Sequence, residues 1–467
     1  MYLPLQKLLA DLEHAVPFIP VDSMVQLCIS AFFQRTFHTA PICHEPTLRA
    51  DAEFFFGKDS PSSLSPSPDD PPTQAIKIMR SFTLLTTVCA TMAALYGSHG
   101  NTVPHGSATA SVFLRASVDM LKQYEDYDLR HPNSTSLSVR ILLAACFQQC
   151  AGENPYAFHL VGQASLLART MQLHTERAVS QYDNDLEVTL LRNNFWALYT
   201  ADSCGACTRN RPVVLYEPLF DADIDLEEFG NPQIPLLCLV SSEDPGSERS
   251  ILEGFHLIRR LWSLAAELLS TIRAYRRNTL RRPGLAGLTV QAEGAKVAHL
   301  YSEITTLVEL NKLPLSLQPV AEDEHDPPVT SPKFGYSLQR HRLFSSFHCA
   351  KLMIIHESTQ SGLSTFLGLQ QGNEDAEKIN TARAFVHVLQ NSPFHYLQGG
   401  GEVAVELIRV VGSILLEILS TSSVIYREPA QSVLDSILDL LARLNSKASE
   451  SILRGLSRNE TSYTGRF

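Results

Sequence analysis

Apolar residues in this chain recur at the three- and four-residue spacing of helices for most of its length, and alternating apolar-polar runs are almost absent. Residues 1–56 read as two or three helices. The stretch 6–12 is amphipathic, and 21–33 sets Met24, Val25, Leu27, Cys28, Ile29 and Phe32 at helical period. Further helices are expected over 76–96, 108–124, 136–150, 155–171 and 185–207, with Pro132 and Asn133 standing where the start signal of the 136–150 helix belongs. Pro212, Pro218 and the run Asp221-Ala222-Asp223-Ile224-Asp225 then break the pattern. A long amphipathic helix is expected over 251–277, and others over 338–356, 376–389, 403–419 and 432–444.

Three stretches lose the apolar period. Residues 57–74 read GKDSPSSLSPSPDDPPTQ, the composition of a mobile surface loop. Residues 241–248 and the Pro- and acid-rich 320–332 are further loops. There is no Asn-Gly or Asp-Gly hairpin turn and no repeat of the solenoid kind. The expected fold is all-α: one large irregular helical domain with Pro/Ser/Asp-rich disordered loops, its first half over 1–240 and its second over 241–467.

Composition narrows the function. With 38 Lys+Arg against 49 Asp+Glu the net charge is -11, so the chain has no global attraction to phosphate. The nine cysteines are scattered and odd in number, and no signal sequence opens the chain, which fits reduced thiols in the cytosol or nucleus. Residues 81–98 are uncharged, at the lower length limit for a membrane span. They include Ser81, Thr83, Thr86, Thr87 and Thr91, so a buried helix in a large core is the better reading and no membrane association is expected.

Catalytic patterns are missing: no nucleophile elbow, zinc-protease helix, P-loop or dinucleotide fingerprint occurs. Cys204-Gly205-Ala206-Cys207 has no second pair to complete four metal ligands, and Cys146 and Cys150 read the same way, as core residues one turn apart. His38, Cys43 and His44 lack a fourth ligand. Asp221, Asp223 and Asp225 lack the glycine and distant glutamate of a calcium loop and read as a solvated acidic segment. Asp202 and Arg211 are close enough in a helix plus turn to form a structural ion pair. The basic cluster Arg273, Arg276, Arg277, Arg281 and Arg282 reads equally as a nuclear-import signal, a phosphate contact or a solvated helix end.

Four stretches carry a family pattern. Residues 37–48 join a helix ending at His38 to Pro41, His44 and Pro46, with Pro41 and Pro46 stopping helices on either side of a crossover. Residues 155–174 put Gly162, Ala164 and Ala168 on one face, followed by Arg169 and a Leu173-His174 end; small residues there let helices approach. Residues 192–212 run Arg192, Asn193, Asn194, Phe195, Trp196, Asp202, then Arg211-Pro212, with Asn210 where a left-handed helix terminator is needed. The acidic stretch around Asp223 follows. In this order the segments resemble the regulatory (middle homology) domain of the fungal zinc binuclear cluster transcription factors.

The resemblance implies regulation or co-regulation of a fungal pathway gene set, a secondary-metabolite cluster among them, in the nucleus and also the cytoplasm. It implies contacts with the transcription machinery or a DNA-binding partner, a small-molecule effector, or a second copy. It also implies that His38, Pro41, His44, Pro46, Gly162, Ala168, Arg169, His174, Arg192, Trp196, Asp202, Arg211, Pro212 and Asp223 are structural. No cofactor belongs to this chain; zinc is expected only if a six-cysteine cluster precedes it. The competing expectation is an all-helical enzyme or ligand-binding scaffold, which a deep polar cavity with convergent carboxylates would favour. The acidic balance predicts that the purified chain shows no sequence-specific DNA binding. Fluorescence anisotropy over a salt series checks this, and a tight, salt-resistant complex with one site contradicts it.

Overall fold

A chain whose apolar positions recur every three to four residues buries them by packing helix stripe on helix stripe. The computed structural model describes residues 2–57, 72–97, 103–151, 154–209, 211–217, 220–231, 234–238, 247–281, 286–309, 312–318, 328–329 and 331–444. In chain order its helices are α1 Tyr2–Ala15, α2 Val21–Ala31, α3 Glu45–Phe56, α4 Pro72–Tyr96, α5 Gly106–Arg130, α6 Ser134–Ala151, α7 Asn154–Thr170 and α8 Glu176–Val179. There follow α9 Asp185–Thr208, α10 Ser247–Arg281, α11 Ala286–Leu307, α12 Pro332–Gln360, α13 Glu374–Gln390, α14 Phe394–Gly399, α15 Gly401–Thr421 and α16 Val424–Leu444. No strand occurs among the described residues. The protein is all-α.

The expected loop over 57–74 is shorter at its far end, because α4 already begins at Pro72, where a proline's fixed φ suits a first helical turn. Residues 58–71, 241–246, 320–327 and 330 of the expected loops lie outside the described residues. Helix α11, and the short α8 and α14, fall where no helix was expected. Helix α16 starts at Val424 rather than 432 and carries Pro429 inside it. The proline removes a hydrogen bond to the carbonyl of Ile425, a residue that faces solvent, so water can satisfy that group.

Two compact units divide the chain. The first takes Met1–Asp202, Val213–His256 and Pro327–Tyr336; the second takes Ser203–Pro212, Leu257–Asp326 and Ser337–Phe467. Helices α9, α10 and α12 therefore each give residues to both.

In the first unit, α4 is the central helix and packs on α2, α3, α5 and α6. It is long and apolar enough to cross a membrane, but 67% of its most apolar window is buried in this core. Three of its four buried threonine hydroxyls are answered inside the fold, Thr87 being the exception. Thr83 donates to the carbonyl of Met79 and Thr86 to that of Phe82. Thr91 donates to the carbonyls of Thr87 and, on α6, Leu142, while Ser117 of α5 donates to Thr86 Oγ1. Where α4 ends and α5 begins, Gly97 and Gly106 touch: a Cβ on Gly97 would lie 2.1 Å from the Gly106 Cα. Only two glycines allow that approach.

A buried charge cluster ties α4, α5 and α6 together. Asp128 lies between Arg80 at 2.7 Å and Arg140 at 2.6 Å, and Ser136 donates to it. Arg140 is fully buried, so Asp128 is what keeps its charge paired in the core. At the C-terminal end of α4, the five-residue π-helical turn Phe32–Thr36 presents Arg35 to the rings of Tyr96 and Phe334, at 5.0 and 5.8 Å.

The second unit is organised by the antiparallel neighbours α15 and α16, with α13 and α14 packed on them. Val405, Ile408, Val411 and Leu415 of α15 and Val433, Leu434, Ile437 and Leu441 of α16 are buried there. Gly294 of α11 admits the Phe366 ring, which a Cβ would meet at 2.3 Å. On α12, His341 and His348 are both pushed down to about 4 because burial disfavours the charged ring. Unfolding returns each to its ordinary value of 6.5. The unfolded chain then holds more protons between those values. Stability is therefore full above pH 6.5 and falls as pH drops toward 4, by about 1.4 kcal/mol per pH unit for the buried His341. Urea melts at about pH 7 and about pH 5 should show this loss, and His341→Gln should flatten it; an unchanged pH slope in that variant contradicts the assignment.

Candidate functional site

Residues 191–196 of α9 are all buried, so this turn and a half meets protein on every side. Polar side chains inside such a helix must find partners. Asn193 Nδ2 donates to the carbonyl of Pro41 at 2.8 Å. Ser138 of α6 donates both to the carbonyl of Ile42 at 2.9 Å and to Asn194 Oδ1 at 3.1 Å. The crossover around Pro41 is thus held by α6 and α9. His38, also buried, fills the space over Gly335, whose Cβ would collide with its ring. His44 is the residue just before α3, with Nδ1 2.7 Å from Thr47 Oγ1, and Pro46 lies in that helix's first turn.

The next face of α9 holds the acidic segment. Arg192 is ion-paired with Glu176, the first residue of α8. The amide of Glu176 donates to Asp225 Oδ1 at 2.7 Å, and the amide of Glu227 donates to Glu176 Oε2 at 3.3 Å. Trp196 Nε1 donates to the carbonyl of Glu227 at 3.0 Å. Asp225, not the exposed Asp223, is the aspartate that makes this contact. One turn on, Tyr199 hydrogen-bonds Glu217, and Asp202 Oδ2 accepts from the amides of Val214 and Leu215 at 3.0 and 2.8 Å. Phe195, Trp196 and Tyr199 pack on each other, and Trp196 meets His256 edge to face at 6.2 Å.

The 155–174 segment ends in a Schellman turn. Gln172 takes φ 55, and the amide of Leu173 donates to the carbonyl of Ala168 at 3.0 Å. Ala157, Leu160, Ala164 and Ala168 form the buried face. Gly162 departs from the expected close approach: a Cβ there would meet nothing within 4 Å. Arg169 and His174 both lie against Phe220, at 5.8 and 4.7 Å.

Two glutamates escaped the sequence reading. Glu45 is buried, binds Arg49 at 2.6 Å and accepts from the amide of Cys238 at 3.0 Å. Glu248 accepts from the amides of Leu236 and Leu237. They hold the chain at residues 236–238, a task visible only once that segment's place is known.

In the second unit, α9 ends in a left-handed turn. The left-handed residue is Arg209, with φ 57, its amide donating to the carbonyl of Gly205; Asn210 lies outside the described residues. Arg209 binds Glu357 at 2.7 Å, which anchors this strained turn. Arg211 lies along the bare Gly205, where a Cβ would sit 2.6 Å from its Nε, and Pro212 is exposed. Cys204 and Cys207 belong to this core, burial pushing the Cys204 thiol up to about 12.

Arg273 is part of the same helix end. Its two Nη groups donate to the carbonyls of Ala206 and Cys207 at 2.6 and 2.8 Å, and Nε to Glu357 at 3.2 Å. Helix carbonyls left without partners attract a cation in this way. Arg276, Arg277 and Arg281 are exposed, Arg276 donating to Gln360, while Arg282 lies outside the described residues. Among the described residues no group of three or more His, Cys, Asp or Glu is placed to hold a metal ion. A shallow groove of about 270 Å³ is lined by Pro4, Lys7, Leu8, Val112, Arg115 and Ala116 among others. Its acids Asp11 and Asp119 are ion-paired with Arg115 and Lys7 at the surface.

Removing the Asp202 carboxylate leaves two backbone amides without their acceptor. Asp202→Ala is expected to lower stability by about 2–4 kcal/mol and Asp202→Asn by less, read by urea denaturation. A loss within a few tenths of a kcal/mol in both variants contradicts the role.

No curated protein matches the chain. The family model described as the fungal specific transcription factor domain matches residues 29–280, more than half of the chain, and all four signature segments fall inside that span. With those segments fastened to one another through α9, the chain belongs to the fungal specific transcription factor domain family.

Proposed function

We propose that this chain is the regulatory part of a fungal transcription regulator or co-regulator that controls a pathway gene set, such as a secondary-metabolite cluster. Membership of the family over residues 29–280 is the observation that carries this reading. In it the protein works in the nucleus and engages the transcription machinery or a DNA-binding partner through its helical surfaces, with a small effector or a second copy as further partners. The acidic net charge of -11 supports recruitment through another protein rather than a direct grip on DNA. The exposed Arg276, Arg277 and Arg281 supply a local basic patch suited to an import receptor or a phosphate.

An enzyme reading gains no support from the groove between α1 and α5, whose acids are already paired with Arg115 and Lys7. Deleting the gene and profiling transcripts tests the proposal. A coherent set of neighbouring or co-regulated genes should change together. Scattered changes with no common set would sink it.

A further inference from the structure

The last turn and a half of α10 contributes nothing to the core. Tyr275 is its last buried residue. After it, Arg276, Arg277, Asn278, Leu280 and Arg281 are exposed and Thr279 is half-buried. Leu280 is 76% exposed. The order of these residues is specific: two arginines three and two positions before a threonine, and a large aliphatic side chain directly after it. Protein kinases that prefer basic substrates read this arrangement. Carboxylates in their grooves pair with the two guanidinium groups, an apolar pocket takes the following residue, and the hydroxyl is aimed at the γ-phosphate of ATP.

From the pattern and its exposure we infer that Thr279 is a phosphate acceptor for a basophilic protein kinase, and that its modification offsets much of the charge of the arginine patch. The regulatory consequence rests on the proposed reading of that patch; the acceptor assignment does not.

A kinase groove binds extended chain, so residues 276–281 have to leave the helix. No buried side chain moves when they do. The cost is a few helix-end hydrogen bonds and the exposed bond from Arg276 to Gln360. Unwinding stops one turn back, where Arg273 is bound to two carbonyls and Glu357.

In the transfer, Thr279 Oγ1 bonds to the γ-phosphorus of ATP while the bond from that phosphorus to the β–γ bridging oxygen breaks. The electron pair leaves with ADP, and the hydroxyl proton passes to the kinase's carboxylate base. The product carries a charge of about -1.5 to -2 within reach of Arg276, one turn earlier. At a helix C-terminus the dipole disfavours such an anion, so the end of α10 unwinds further once modified.

The test uses the full chain, the catalytic subunit of a cyclic-AMP-dependent protein kinase and magnesium ATP, with sites mapped by mass spectrometry. Thr279 is expected to be the main acceptor. Thr279→Ala loses that phosphopeptide with an unchanged far-ultraviolet circular dichroism spectrum, Thr279→Ser keeps it, and Arg277→Ala slows it by roughly tenfold. Absence of phosphate at Thr279, or labelling there that ignores Arg276→Ala and Arg277→Ala, overturns the inference. This readout needs no transcriptional activity, so either proposal can fail while the other stands.

Discussion

A helix buried on all sides cannot leave a polar side chain unanswered, and that constraint shapes the first unit around α9. Along one side of the helix, Asn193 and Asn194 reach the crossover at Pro41 and Ile42, the latter through Ser138. Along another, Arg192, Trp196 and Asp202 hold the chain that returns past residues 214–227, Arg192 by way of Glu176. Loops with only isolated turn hydrogen bonds of their own thereby gain fixed positions. Arg192, Trp196 and Asp202 of the expected signature take part in this fastening beside Asn193, Asn194 and Glu176, so chain segments far apart in sequence meet at one helix.

Elsewhere the fold uses the same economy of paired charge. Asp128 keeps Arg140 from being a lone charge in the core, and Glu357 joins Arg209 to Arg273 at the end of α9. In both places one carboxylate serves two guanidinium groups. Losing such a carboxylate would strand a cation, which is more costly than never having buried the pair.

The helices were legible because apolar periodicity is a local signal: 76–96, 185–207 and 403–419 were read within a few residues of α4, α9 and α15. Helix α11 was not, since Gly287, Gly294 and its threonines weaken that signal, and Gly294 is there for Phe366 rather than for the helix. The role of Asp225, the left-handed Arg209 and the capping by Arg273 were beyond the sequence because each depends on which distant carbonyl or amide lies opposite. Gly162 shows the reverse error, a small residue taken for a contact where the structure leaves open space. Asn193 and Asn194 could have been found: two amides amid Leu191, Phe195 and Trp196 demand buried partners.

If these side chains act as fasteners, the loops they hold should open only when α9 does. Native-state hydrogen exchange on the amides of Val214, Leu215, Glu176 and Glu227 measures this directly: the first two donate to Asp202 of that helix, Glu227 to Glu176, which pairs with Arg192, and Glu176 to Asp225. The account predicts protection comparable to that of the 191–196 amides, lost together with it as urea is raised. Fast exchange at these four amides while α9 stays protected would show that the loops are not held by it, and would contradict the account.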